Sequence, residues 1–294
     1  MKPAPFTFSR PACLHEALDL LAANPDAKVL AGGQSLIPLL SMRLASPSML
    51  IDINGITELS YVTCDDTGVR IGALARHAEV ETHEQARRVQ PLLSQALRLV
   101  ANPTIRNRGT TVGSIVHADA AAEMPMVLCL LQGSVTAAST QGTRTIPAHE
   151  LYVGPLESSV RADEIVTEAF FPALPAGAGV AFEQVARRHG DYALCGVAAV
   201  VDSDPDGRIT SVRAGYLSVC DVPTVVDLSE AFAAQELTEQ ALHDAAELAS
   251  ASLDPTGDIH ASAAYRGELA RVLTRRAVRA AYDDSRSRHV EVRV

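Results

Sequence analysis

Basic residues are in short supply: 25 Lys and Arg stand against 35 Asp and Glu, a formal charge of −10. Phosphate backbones and anionic membranes are gripped by clustered cations, so this balance argues against a general nucleic-acid or membrane-surface binder. The Arg-rich stretch from Arg271 to Arg288 reads as the solvated face of a terminal helix. No apolar run approaches the roughly 18 residues of a membrane span. The opening MKPAPFTFSRPA has no continuous apolar core of a secretory leader, so none is predicted. The five cysteines (Cys13, Cys64, Cys129, Cys195, Cys220) are far apart, without a C-x-x-C pair. That spacing suggests neither a disulfide framework nor a metal cluster, and predicts reduced thiols in a cytoplasmic protein with no iron–sulfur centre of its own.

What is present is a globular composition, 47% hydrophobic and 20% charged, over 294 residues, enough for two or three compact units. Leu14, Ala17, Leu18 and Leu21 recur at helical spacing after Ser9-Arg10-Pro11, and Asn24-Pro25 ends that helix. The stretch KVLAGGQSLIPLLSMRL, Lys28 to Leu44, reads as a short strand, a Gly32-Gly33 turn and a helix for which Ser35 is the N-cap. Met49 to Ile53 reads as a strand closed by Asn54-Gly55. Two strands, Leu59 to Thr63 and Val69 to Leu74, flank a turn at Asp65–Gly68, and helices follow over His77 to Arg88 and Pro91 to Val100. NPTIRNRGTTVGS, Asn102 to Ser114, lacks periodicity and reads as a long functional loop. After it come a helix, Ala121 to Leu131, and strands at Ser134–Ala138, Arg144–Ile146 and Ile165–Phe171. PALPAGAG, Pro172 to Gly179, is the clearest linker. Beyond it strands are predicted at Val180–Val185, Gly196–Val201 and Ile209–Val219, with Asp204-Pro205-Asp206-Gly207 as a hairpin turn. Helices over Thr238–Ser250 and His260–Tyr282 follow, then a loosely held tail from Ser285 to Val294.

Two segments carry chemistry. The Gly32-Gly33 turn offers backbone N–H groups that lack partners at a helix start, where an anion is favoured. Arg106 to Ser114 supplies glycine, hydroxyls and free N–H groups that suit phosphate oxygens, and His117, Asp119 and Glu123 follow it. Two such loops, about 75 residues apart, can grip one elongated diphosphate from both sides, which suits a dinucleotide. His77, His83, His149 and His189 have no metal-like spacing and read as structural or surface residues. Asp52 reads as a turn or cap residue, and Arg187-Arg188 as a solvated face or a contact surface.

In order along the chain, AGGQSLIPLL, IDING, IGALARH, RNRGTTVGSIVHADAAAE and the Gly190-Asp191-Tyr192-Ala193 segment resemble the FAD-binding medium subunit of the molybdenum hydroxylases, the family of xanthine dehydrogenase and carbon monoxide dehydrogenase. The resemblance implies an α+β fold: a two-lobed FAD-binding domain of the vanillyl-alcohol-oxidase/PCMH type, then a small C-terminal α+β domain with a three-stranded sheet and helices. The corresponding boundaries are 1–55, 56–175 and 176–294. It implies pyrophosphate contacts from Ala31, Gly32, Gly33, Gln34 and Ser35 with Leu36, and from Thr110, Thr111, Val112, Gly113 and Ser114. Asp119 would lie on the ribose or phosphate side, Ile165 near the adenine or ring system, and Tyr192 over the isoalloxazine. Two departures from the family pattern matter: Val112 replaces a glycine and Ala120 a proline. Because valine does not readily take a positive φ, the second loop is expected to follow a different local path.

The implied role is electron transfer within a heterotrimer. A large subunit would carry the molybdenum cofactor and hydroxylate the substrate, and a small one two [2Fe–2S] clusters. FAD in this chain would relay the electrons to an external acceptor. A dimer of heterotrimers is the implied assembly, with no catalytic residue and no metal ligand in this chain. The substrate leaning is toward an aromatic N-heterocycle. The competing readings are an autonomous two-lobed FAD oxidoreductase and a non-catalytic nucleotide-binding or assembly protein. Against the former stand the 4% aromatic content and the absence of Trp.

Overall fold

The computed structural model describes residues 2–232 and 236–292. A small parallel sheet comes first, built from β1 (Thr7–Ser9), α1 (Leu14–Ala23), β2 (Lys28–Leu30), α2 (Leu36–Met42) and β3 (Met49–Asp52), with strand order β1-β3-β2. Parallel strands need crossover connections, which the helices supply. The helical spacing in α1 buries Ala17, Leu18 and Leu21, and the Asn24 N–H closes it on the Leu21 carbonyl at 3.2 Å.

The second lobe opens with the hairpin β4 (Val62–Asp65) and β5 (Gly68–Gly72). Six helices follow: α3 (His77–Thr82), α4 (Glu84–Val89), α5 (Pro91–Leu97), α6 (Pro103–Arg106), α7 (Thr111–His117) and α8 (Glu123–Leu130). Strands β6 (Ser134–Ser139) and β7 (Gly142–Pro147), helix α9 (Ala148–Leu151), the ribbon β8 (Tyr152–Gly154) and β9 (Glu157–Ser158), and β10 (Ile165–Pro172) complete it. The antiparallel sheet runs β4-β5-β10-β6-β7, so the last strand of the lobe lies at its centre.

The third unit is a meander, β11 (Gly179–Ala186), β12 (Ala193–Ser203), β13 (Ile209–Leu217) and β14 (Thr224–Asp227), followed by α10 (Glu239–Ser252) and α11 (Ala263–Val292). β12 is buried on both faces. Ala198 and Val200 join the core shared with the first two lobes, while Cys195, Val197, Ala199 and Val201 face a second core with α10 and α11. This period-2 split makes one strand the wall between two cores. At Asp204–Gly207 the Asp204 carboxylate accepts the N–H groups of Asp206 (3.0 Å) and Arg208 (2.8 Å), and Gly207 takes φ +93°.

Several expectations change. The non-periodic segment Asn102–Ser114 contains α6 and the start of α7, each capped by a side chain: Asn102 accepts from Ile105 N and Thr110 from Gly113 N. Helices of four and seven residues are too short to display a period. The helix predicted over His77–Arg88 breaks at His83, whose ring accepts from Ala86 N at 3.2 Å and starts α4. The C-terminal sheet has four strands, not three, because Thr224–Asp227 pairs with Arg213–Tyr216. Ser285 does not begin a loose tail: α11 runs through it, its side chain is fully buried, and its Oγ lies 2.7 Å from Ser203 Oγ and donates to Gly177 O at 2.6 Å. Arg293 and Val294 lie outside the described residues. Among those described, no helix is long and apolar enough to cross a membrane.

Gly179 sets the seat of α11. A Cβ there would stand 2.0 Å from Ala281 O and 2.2 Å from Ser285 N, so helix and strand meet backbone to backbone. Gly179→Ala is expected to push α11 off β11 and destabilise the chain by about 1–3 kcal/mol, the usual range for overpacking. Urea unfolding checks this, and an unchanged midpoint would refute the contact.

Candidate functional site

β2 delivers the chain into the turn Ala31–Ser35, where Gly33 takes φ +75°. Ile37 N then reaches Gly33 O at 3.1 Å and starts α2. Ser35 occupies the N-cap position, but its side chain makes no capping bond, so its hydroxyl is not spent on the helix. The N–H groups of Gly32, Gly33, Gln34, Ser35 and Leu36 carry no hydrogen bond among the described residues.

The second turn comes from the other lobe. Thr110 caps α7 through Gly113 N (3.1 Å), Thr111 N is taken by Ala75 O (3.3 Å), and Ser114 N by Thr110 O (3.1 Å). The N–H groups of Thr110 and Val112 are left without partners among the described residues. Val112 lies inside the first turn of α7 and has no positive φ, so the backbone seats a valine without strain. The left-handed residue is Ala118, at φ +57°, where α7 ends.

The two turns touch. A Cβ on Gly32 would stand 2.4 Å from Arg108 O, 2.8 Å from Gly109 Cα and 3.0 Å from Thr110 N. Arg76 holds them in place: its Nη1 donates to Arg108 O at 2.8 Å and its Nη2 to Asn54 Oδ1 at 2.7 Å. Asn54 Nδ2 in turn donates to Ala31 O at 2.7 Å and to Asp52 Oδ1 at 2.6 Å. Arg76 and Asn54 were not among the residues singled out from the sequence. Both lie in quoted segments, IGALARH and IDING, and only the folded chain shows that they bind each other.

Between the turns lies a cavity of about 760 Å³, inside the usual range for cofactor sites. Ala31, Gly32, Gly33, Gln34, Ser35, Leu36, Thr110, Val112, Gly113, Ser114, Asp119, Ile165 and Tyr192 all line it. Thr111 does not. It is fully buried, with Oγ1 3.2 Å from His77 Nδ1, so it supports the turn from behind. Gly190, at φ +85° and packed on Ala101, brings the β11–β12 turn over the second lobe and leaves the Tyr192 ring 65% exposed at the rim. A second cavity of about 540 Å³ shares Asp119, Leu156 and Tyr192 with the first and extends to Ser218, Cys220 and Arg266.

Two buried groups set the local electrostatics. His77 is brought down to about 4, by burial first and by the neighbouring Arg106 guanidinium second, so it is neutral at pH 7. Glu123, the first residue of α8, is pushed up to about 7 by burial, with Asp119 adding to the effect. The Tyr192 hydroxyl is raised by desolvation and then by Asp119 and Glu123. Glu123 was noticed in the sequence as lying after the second turn; its position alone carried no sign of its burial.

Residues 4–174 match the family described as FAD binding domain in molybdopterin dehydrogenase, and residues 180–281 match the CO dehydrogenase flavoprotein C-terminal domain. The 6-hydroxypseudooxynicotine dehydrogenase complex subunit alpha of Paenarthrobacter nicotinovorans is 42% identical, over 94% of this chain and 94% of that protein. The nicotine 6-hydroxylase medium subunit of the same organism is 40% identical, over 95% and 98%. A chain of quinoline 2-oxidoreductase from Pseudomonas putida 86 superposes with a TM-score of 0.91 at 35% identity, covering 97% of this chain and all of that one.

The depressed His77 value fixes a pH dependence. The unfolded histidine titrates near 6.5, so the unfolded chain takes up a proton that the folded chain refuses. This contribution to stability is present above about pH 6.5 and is lost as pH falls toward about 4, at up to about 1.4 kcal/mol per pH unit. Denaturant titrations at pH 7 and pH 5 are expected to show a larger fall for the wild type than for His77→Gln. Equal falls would contradict a neutral, buried His77.

Proposed function

Because the chain belongs to the FAD-binding medium-subunit family of the molybdenum hydroxylases, we propose that it is the electron-transfer subunit of a heterotrimer. It takes electrons from [2Fe–2S] clusters on a small subunit and delivers them to an external acceptor, while a large subunit bearing the molybdenum cofactor hydroxylates the substrate. The observation that carries this reading is the meeting of two turns from separate lobes. Their unpaired N–H groups (Gly32 to Leu36, Thr110, Val112) border one cavity, and Gly32 has no room for a side chain.

In this reading those N–H groups hold the diphosphate of FAD, as backbone donors at helix starts hold anions generally. Ser114 and Gly113 complete the second turn, and Asp119 lies on the ribose or phosphate side. Ile165 packs near the adenine or ring system, and Tyr192 covers the isoalloxazine at the rim. Thr111 is the one expected contact that the geometry moves off the cavity: it positions His77 and the turn. When bound, FAD supplies the redox chemistry, accepting and releasing electrons. The protein's work is to fix the ring, keep water out and leave one edge reachable. The smaller cavity beside Tyr192 is where an acceptor would approach. No side chain here needs to act as acid or base on the organic substrate.

The substrate class we favour is an aromatic N-heterocycle, supported by the nicotine and quinoline enzymes among the similar proteins. The assembly we favour is a dimer of heterotrimers in the cytoplasm, with domains divided near residues 55 and 175.

A tag on this chain is expected to retrieve two further chains carrying molybdenum and iron, with FAD on the tagged one. A flavin-only monomer would overturn the partnership, as would substrate oxidation by the purified chain alone. Gly32→Ala is expected to weaken FAD binding about 10- to 100-fold, corresponding to roughly 1–3 kcal/mol of forced separation of the turns. Flavin fluorescence on the flavin-stripped protein reads this, and unaltered affinity would remove the turns from the site.

A further inference from the structure

The cavity holds one carboxylic acid that the proposed function does not use. Glu123 opens α8, lines the cavity and is only 7% exposed. Among the described residues it makes no ion pair. The groups facing it are the carboxylate of Asp119 from the turn before α8, the hydroxyl of Tyr192 from the β11–β12 turn and the side-chain amide of Gln184 from β11. His117 and Asp191 border the same cavity from α7 and from the β11–β12 turn. Lys28 and Arg161 line the cavity as well, but neither forms an ion pair with Glu123 among the described residues.

Two effects compete at this carboxyl. The start of α8, the residue's own N–H and the side-chain N–H of Gln184 favour the ionised form. Burial without a cation, next to a second carboxylate, opposes it, and a group in that position neutralises instead of remaining charged. In the cofactor-free chain the two nearly balance, with half-protonation at about pH 7. FAD tips that balance in one direction. In the placement proposed above it would occupy the cavity that Glu123 lines, deepening the burial of the carboxylate, and would bring the negative charge of its diphosphate into that cavity. Gln184 offers the neutral acid a hydrogen-bond acceptor, because its Oε1 is buried without a partner among the described residues. Because amide oxygen and nitrogen exchange places by a simple rotation, Gln184 can accept from a protonated Glu123.

We propose that Glu123 is the proton-linked group of the cofactor cavity: it takes up one proton as FAD binds and stays neutral in the complex. The inference rests on the placement of FAD proposed above. Its sign follows from linkage. A group whose proton affinity rises on binding draws a proton from solution wherever it was ionised beforehand. FAD affinity is therefore flat below about pH 7 and weakens above it, approaching tenfold per pH unit.

The test uses the full chain in the assembly in which it purifies, stripped of flavin and titrated with FAD from pH 6 to pH 9. Wild-type protein is expected to show a Kd that rises about tenfold between pH 7.5 and pH 8.5. Calorimetry in two buffers of different ionisation heat, at pH 8, should count close to one proton taken up per FAD. Glu123→Gln, which keeps the shape and a donor toward Gln184, is expected to change its Kd by less than about twofold over the same range and to take up none. His117 is unaltered in that comparison. A slope that survives in Glu123→Gln overturns the assignment to Glu123. Tight wild-type binding with no proton exchange overturns the inference while leaving the FAD site intact, and failure to bind FAD at any pH overturns both. If Glu123→Gln does not fold, His117→Asn decides between the two groups: proton uptake that persists in it supports Glu123, and uptake that disappears overturns the assignment.

Discussion

Everything at the site depends on two stretches of backbone lying closer than side chains allow. Gly32 rests on Arg108 and Gly109 with no space for a Cβ, and the contact joins lobes that are far apart in the chain. Such an approach puts peptide dipoles side by side and needs an organiser. Arg76 and Asn54 supply it, binding the carbonyls of Arg108 and Ala31. With those carbonyls occupied, the neighbouring N–H groups are the ones left open to the cavity. Polarity is thereby sorted: acceptors face the protein and donors face the cavity. A surface of that kind suits an anion through backbone donors alone, since neither Arg106 nor Arg108 of the second turn lines the cavity.

The lobes are clamped by more than this contact. One core takes in Leu18 and Leu21 of α1, Leu92 and Leu97 of α5, Val135 and Phe171 of the second sheet, and Val180 and Val200 of the third. The first lobe has three strands of three or four residues and could not bury enough surface to stand alone. It is a cap on the larger lobe, held at a fixed angle. The C-terminal sheet, seated on the same core through alternate residues of β12, carries the turn that places Tyr192 at the rim. The site is thus assembled from three pieces of chain that share one hydrophobic interior.

Recognition of the family from sequence succeeded because the turns demand particular residues. Only glycine fits at Gly32, a left-handed backbone is needed at Gly33, and a hydroxyl is needed at Thr110 to cap α7. What escaped has a common physical cause: it depends on neighbours remote in sequence. The role of Arg76 requires Asn54 and Arg108 to converge on it. Thr111 is as polar as Thr110, yet one hydroxyl meets His77 in the interior while the other caps a helix at the cavity. The order in Asn102–Ser114 comes from two caps and not from a repeat, so a periodicity reading passes over it. Ser285 lies in a polar stretch and is buried only because Gly179 lets α11 come down on the sheet. Valine at position 112 is the opposite case: inside a helical turn the residue takes no positive φ, so the backbone carries no strain there.

A rigid clasp built from backbone donors has a consequence for the kind of chemistry it can host. Were the lobes hinged, the cavity could open for each turnover, as suits an enzyme whose substrate must enter and leave. Here the shared core and the Arg76–Asn54 bridge hold the turns together, so the interior suits a group that stays in place. The groups gathered at that rim, Asp119, Asp191 and the exposed ring of Tyr192, are carried by turns and not by the core elements. The donors that the two turns offer to the cavity are backbone N–H groups, whose geometry side-chain substitution scarcely alters. The rim, by contrast, is lined by side chains on turns. That division follows from where each type of hydrogen-bonding group sits in the fold.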